Sequence, residues 1–167
     1  GRARVSALAR GATLQALQVQ GRRLQMDGAL LQAPARAAAS AAELGVQDLV
    51  VIAVKGPALP ALAPTLAPLI GPHTLLLPAM NGVPWWFGQG VPALGDAPLQ
   101  SVDPGGGIAA ALPGDQVIGC VVHASTAQPE PGLVQHQRGH GLIVGEPRGG
   151  RSVRAQSVAD LLSDAGF

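Results

Sequence analysis

Two short apolar runs, Asp48-Leu-Val-Val-Ile-Ala-Val-Lys55 and Thr74-Leu-Leu-Leu-Pro-Ala-Met-Asn81, each deliver a polar residue at their C-terminal end. Continuous apolar character over four to six positions, without polar alternation, predicts strands covered on both faces, as in a parallel sheet. Ligands of open α/β sheets bind beyond the carboxyl ends of such strands, so Lys55 and Asn81 are candidate ligand contacts of one cleft.

The pattern elsewhere alternates between helix and strand. Arg4 to Arg10 reads as a strand entering a loop, and Thr13 to Gln20 as a helix stopped by Gly21. Asp27-Gly28 between short apolar runs predicts a tight hairpin. The alanine-rich stretch 33–42 reads as a solvated connector, with Ser40 and Glu43 at capping-box spacing before a short helix. A crossover helix over Pro57 to Ile70 carries four prolines, and an interior Pro64 costs about 3 kcal/mol, so a kinked or broken helix is expected. Gly88 to Gly114 reads as a Gly/Pro-rich loop, followed by a strand over Gln116 to His123. Two further strands, over 132–137 and 141–147, are expected to meet at a turn at Arg138-Gly139. An amphipathic helix over Ser152 to Leu162 closes the pattern. Together these elements predict an α/β chain, a Rossmann-like doubly wound parallel sheet with an appended antiparallel edge.

Composition narrows the class. A chain of 167 residues that is 47% hydrophobic suits one domain with a real core. Its net charge of +1 gives no electrostatic reason to expect nucleic acid or an acidic membrane as partner. Cys120 is the single cysteine and has no internal disulfide partner. No apolar run reaches membrane-spanning length and no leader pattern is visible, which points to the cytoplasm. The first residues already read as a strand and the last follow directly on a helix, as expected of a fragment.

Candidate chemistry is sparse. Gly88-Gln-Gly90-Val-Pro-Ala93 and Gly105-Gly-Gly107-Ile-Ala-Ala110 match a dinucleotide-binding glycine pattern in letters only, because neither follows an apolar strand. The cluster Trp85-Trp86-Phe87 reads as a packing element before a stacking surface. His123, inside an apolar strand, reads as a satisfied core histidine, and Glu146 as a turn carboxylate. His73, His136 and His140 have no metal-ligand spacing, so no metal site is expected.

Several segments, taken in order, resemble one family. Val5-Ser-Ala-Leu-Ala-Arg10-Gly, the two strands ending at Lys55 and Asn81-Gly82-Val83-Pro84, Ser101-Val-Asp-Pro-Gly105, Cys120-Val-Val-His123-Ala-Ser125, Glu130-Pro-Gly132 and Gly145-Glu146-Pro147 are similar to successive landmarks of ketopantoate reductases (2-dehydropantoate 2-reductases). The resemblance is to the interior of the family's N-terminal nucleotide-binding domain. Residues 1–167 would then form a partial NADP-binding domain, without the family's first strand, its glycine loop and its helical C-terminal domain.

That resemblance implies NADPH-dependent reduction of ketopantoate to pantoate, on the route to pantothenate and coenzyme A. Arg10 falls where the family places a basic residue against the adenosine 2′-phosphate, a role suited to a planar guanidinium. Lys55 and Asn81 match residues at the nicotinamide and substrate end, and Ser125 falls where the family's backbone touches the cofactor. The implied partner is a small 2-oxo acid, and a homo-oligomer is compatible with it. The family's proton-donating lysine lies on its C-terminal domain, whereas Lys55 is the only lysine here. The 167-residue chain alone is therefore expected to be inactive. Two alternatives stand beside this reading: a related NAD(P)-dependent oxidoreductase of another 2-oxo or 2-hydroxy acid, and a non-catalytic, degenerate nucleotide-binding module.

Overall fold

The computed structural model describes residues 3–95 and 97–167. The chain divides into two compact units, one formed by residues 1–45 and 124–140 and the other by residues 46–123 and 141–167.

The first unit opens with strand β1 (Ser6–Leu8) and helix α1 (Gly11–Gln20). Gly21 ends α1 with φ +72°, and its N–H returns to the Leu17 carbonyl at 3.0 Å. Only glycine suits this position, since an added Cβ would sit 2.3 Å from the Ala33 carbonyl oxygen. Strands β2 (Arg22–Met26) and β3 (Ala29–Ala33) form the expected hairpin, with Asp27 at φ +50° and Gly28 at φ +78°. The alanine-rich stretch is not merely a solvated connector. It contains β4 (Arg36–Ala38), which pairs in parallel with β1, because small side chains let Ala38 bury almost completely. Helix α2 (Ala41–Leu44) follows, with the predicted capping box formed by Ser40 and Glu43.

The second unit contains the strands of the two apolar runs that end at Lys55 and Asn81. Strands β5 (Leu49–Ile52) and β6 (Leu75–Pro78) pair in parallel, with Leu49 opposite Leu75 and Ile52 opposite Pro78. The crossover between them is broken as its prolines require. A 3-10 turn (Gly56–Ala58), one turn of helix α3 (Leu59–Leu62) and a 3-10 segment (Ala63–Leu69) replace a continuous helix. Leu59, Ala63, Leu66 and Leu69 still bury their side chains. Thr74, 1% exposed, donates from Oγ1 to the Gln47 carbonyl at 2.6 Å and accepts from the Gly71 N–H at 2.8 Å, fixing the entry to β6.

The Gly/Pro-rich loop hides an element that its composition did not announce. Helix α4 (Gly107–Ala111) lies inside it, with Ile108 and Leu112 buried. Asp103, 1% exposed, organises its start: Oδ1 accepts from the Ile108 N–H at 2.7 Å and Oδ2 from the Ala109 N–H at 3.0 Å. The glycine run at 105–107 thus opens a helix whose first donors are already bonded to a carboxylate.

Strands β7 (Gly119–Glu130) and β8 (Leu133–Gly145) are long and run through both units. The turn lies at Pro131-Gly132, not at Arg138-Gly139, and the two expected strands at 132–137 and 141–147 are one. Gly139, at φ +75°, sits inside β8. An added Cβ at Gly141 would meet the His123 Cβ at 3.2 Å and one at Gly119 the Gly145 carbonyl oxygen at 3.4 Å, so the two strands run close together there. The sheet order is β3-β2-β8-β7, with β2 parallel to β8, so the appended edge includes the β2–β3 hairpin as well. Helix α5 (Val153–Asp164) starts at the Ser152 cap and packs Ala155 and Val158 into a cluster with Leu77, Ile118 and Cys120.

Candidate active-site cleft

The second unit holds a cavity of about 410 Å³ beyond the end of β6, lined among others by Met80, Asn81, Val83, Trp86, Cys120 and Val121. Its floor comes from strand pairing. β6 meets the start of β7 in parallel at Leu76 with Val117 and at Ala79 with Cys120. Two residues further on each strand, the Asn81 side chain takes the place of a backbone partner. Its Nδ2 donates to the Val122 carbonyl at 3.0 Å, and its Oδ1 accepts from the Val122 N–H at 2.9 Å. Gly82, at φ +112°, then turns the chain around the cavity.

Trp86 closes one side of the cavity and meets Trp85 edge-on, with ring centroids 4.4 Å apart. Both indoles are buried while Phe87 is exposed, so the expected packing role falls to the tryptophans, in a turn instead of a helix. Burial pushes the Cys120 thiol up from its ordinary range, which keeps it protonated and unsuited to nucleophilic work.

Lys55 lies three residues beyond β5, ahead of the 3-10 turn, and its side chain is exposed with no partner among the described residues. Arg10 stands in the first unit between β1 and α1, in extended conformation (φ −135°, ψ 163°), and is also exposed. Ser125 belongs to the first unit's part of β7 and donates from Oγ to the Gln137 side chain at 3.0 Å. Arg10 and Ser125 therefore sit in one unit, and Lys55 and Asn81 in the other. His123 departs from expectation: it is exposed, because alternation along β7 sends Cys120 and Val122 to the packed side and His123 to the other.

Glu146 is more than a turn carboxylate. Arg154 donates to it from Nε at 2.7 Å and from Nη2 at 2.6 Å, and Ser152 also bonds to it. The Arg154 hydrogen bonds hold its carboxyl at about 2, well below the usual carboxylate range. In the first unit, Arg23 pairs with Glu130 at 2.8 Å and donates to the Pro131 carbonyl at 2.9 Å, bracing the β7–β8 turn. Several segments that carried the sequence resemblance, Glu130-Pro-Gly132, Gly145-Glu146-Pro147 and Asp103-Pro-Gly105, are thus structural anchors. Sequence reasoning missed Val122 as the partner of Asn81. Its contribution is a peptide group, which no side-chain pattern advertises.

In the second unit, the parallel strands β5 and β6, joined by short helical segments and with a cavity beyond the end of β6, have the arrangement of a Rossmann-like α/β protein. Residues 1–89, more than half of the sequence, match the family described as Ketopantoate reductase PanE/ApbA, and the chain belongs to that family. It is 44% identical over 168 residues to a 2-dehydropantoate 2-reductase of Mesorhizobium japonicum (strain LMG 29417 / CECT 9101 / MAFF 303099), a match covering 100% of this chain and 52% of that protein. A crystal structure from Ralstonia solanacearum MolK2, provisionally assigned as a ketopantoate reductase, superposes with a TM-score of 0.95 at 52% identity, over 98% of this chain and 51% of that one. D-mandelate dehydrogenase, in its ternary structure with NADH and anilino(oxo)acetate, shares the fold at a TM-score of 0.68 and 18% identity, over 93% of this chain and 44% of that one. The chain spans about half the length of these relatives. Among the described residues, no helix is long and apolar enough to cross a membrane.

Proposed function

We propose that the chain is the partial NADP-binding domain, residues 1–167, of an NADPH-dependent 2-dehydropantoate 2-reductase that reduces ketopantoate to pantoate for pantothenate and coenzyme A synthesis in the cytoplasm. Family membership carries this reading, supported by a polar amide fixed at the mouth of a cavity beyond parallel strands. Asn81 and Lys55 serve the nicotinamide and substrate end. Arg10 serves the adenosine 2′-phosphate, where an exposed guanidinium can form a bidentate contact. Ser125 lies along the cofactor through its backbone.

Hydride transfer is supplied by the nicotinamide when bound. This chain's residues bind and orient, while a proton must reach the developing alkoxide from a donor. Lys55, the only lysine in the sequence, serves binding, so the isolated chain does not turn over ketopantoate.

The test is kinetic, on the product of the whole reading frame. kcat/KM should be highest with NADPH and ketopantoate, and Arg10→Ala should reduce the preference for NADPH over NADH by roughly 10-fold or more, the loss of one charge-assisted phosphate contact. A higher kcat/KM on another 2-oxo acid would move the assignment to a related oxidoreductase. The absence of any nicotinamide-dependent turnover would favour a non-catalytic module.

A further inference from the structure

The cavity beyond β6 is apolar over most of its wall. Among the described residues that line it, Asn81 alone carries an amide or a charge, and the other side chains are those of Met80, Val83, Trp86, Cys120 and Val121 together with two prolines. Such a wall favours hydrocarbon, and it penalises any hydroxyl that it strips of water without replacing the hydrogen bond. Trp86 is its largest member. The indole is 9% exposed and meets Trp85 edge-on, and a Cβ added to Gly119 at the start of β7 would stand 4.0 Å from its Cζ2. A ring packed between two neighbours does not swing aside at low cost, so it fixes one limit of the cavity.

We infer that Trp86 is a specificity-determining residue: its ring is the apolar seat for the methyl-bearing carbon next to the 2-oxo group of the acid. The inference rests on the proposed function for the reaction and adds the part of the substrate that this cavity reads. In ketopantoate that carbon carries two methyl groups and a hydroxymethyl group. The methyl groups face the ring and gain by leaving water, whereas the hydroxyl finds no partner on the ring face and points away from it. Each methyl group buried against such a wall is worth roughly 4-fold in binding.

The test is steady-state kinetics with NADPH on the product of the whole reading frame, using three acids. Pyruvate has a bare methyl, 3,3-dimethyl-2-oxobutanoate adds three methyl groups to it, and ketopantoate adds a hydroxyl to one of those. kcat/KM for 3,3-dimethyl-2-oxobutanoate should exceed that for pyruvate by roughly 10-fold or more. Trp86→Ala should cut this ratio by roughly 5-fold or more, and Trp86→Phe, which keeps a ring and loses the N–H, should hold it within about 3-fold. The ratio of ketopantoate to 3,3-dimethyl-2-oxobutanoate should stay within about 3-fold of wild type in Trp86→Ala, because the hydroxyl lies off the ring. Each ratio compares two substrates on one enzyme, so a change in the amount of folded protein cancels. If the alanine variant does not fold, the wild-type ratio and Trp86→Leu carry the test. No preference over pyruvate in wild type, or an unchanged preference in Trp86→Ala, with ketopantoate still turned over, would overturn the role of Trp86 and leave the functional reading standing. A loss in Trp86→Phe as large as in Trp86→Ala would overturn the apolar seat in favour of an N–H contact. Turnover of none of the three acids would overturn the functional reading and the inference with it.

Discussion

The two units of this chain are stabilised by different means. The second is built around buried side chains: Leu76, Leu77, Leu112, Val117 and Ile118 are each 0% exposed. In the first, Ala38, Ala41 and Leu44 alone bury fully among the described hydrophobic residues, and helix α1 buries none. Its order comes from strand pairing, the capping box of α2, the Arg23–Glu130 pair and glycines at positive φ. Backbone hydrogen bonds contribute little net stability each, whereas apolar burial accumulates with area. Local opening should therefore begin in the first unit, where Arg10 lies, and spare the end of β6, where Asn81 is held.

The contrast can be broken at the core first. Leu77→Ala should lower stability by about 2–5 kcal/mol in urea unfolding, the range for a truncated core leucine; a loss below 1 kcal/mol would refute the packed-core account of the second unit. Gly21→Ala should cost about 1–3 kcal/mol, because the added methyl meets the Ala33 carbonyl and φ +72° is strained for alanine. Its accelerated hydrogen exchange should be confined to α1, β2 and β3.

Glu146→Gln should cost about 1–2 kcal/mol at pH 7, the scale of hydrogen bonds to a charged group. Folding lowers the Glu146 pKa from 4.5 to about 2, so its contribution is fully present above about 4.5 and is lost as pH falls toward 2. The stability gap between wild type and variant should close over that window. The smallest effect belongs to the open edge of the first unit. Leu30→Ser on β3, where Leu30 is 59% exposed, should change stability by no more than about 0.5 kcal/mol.

The same contrast explains what the sequence disclosed. Continuous apolar runs announced β5 and β6, and turn chemistry announced the Asp27-Gly28 hairpin, because each signal is local and strong. Helix α4 stayed hidden: its five residues sit among glycines, and its start depends on Asp103 reaching forward to two amides. Strand β4 stayed hidden because alanine favours no strand and only pairing with β1 extends it. The turn at Pro131-Gly132 was misplaced although Pro-Gly is a strong turn dipeptide, and Gly139, at φ +75°, lies inside β8. For the site, the strand ends pointed to Lys55 and Asn81 before any family entered. Nothing local pointed to Val122, because a backbone partner 41 residues away is set by the fold.

The most direct measurement is steady-state oxidation of NADPH by ketopantoate, run side by side on the 167-residue chain and on the product of the whole reading frame. The account predicts turnover by the longer protein and none by the chain alone. Normal enzymatic turnover by the 167 residues would contradict it.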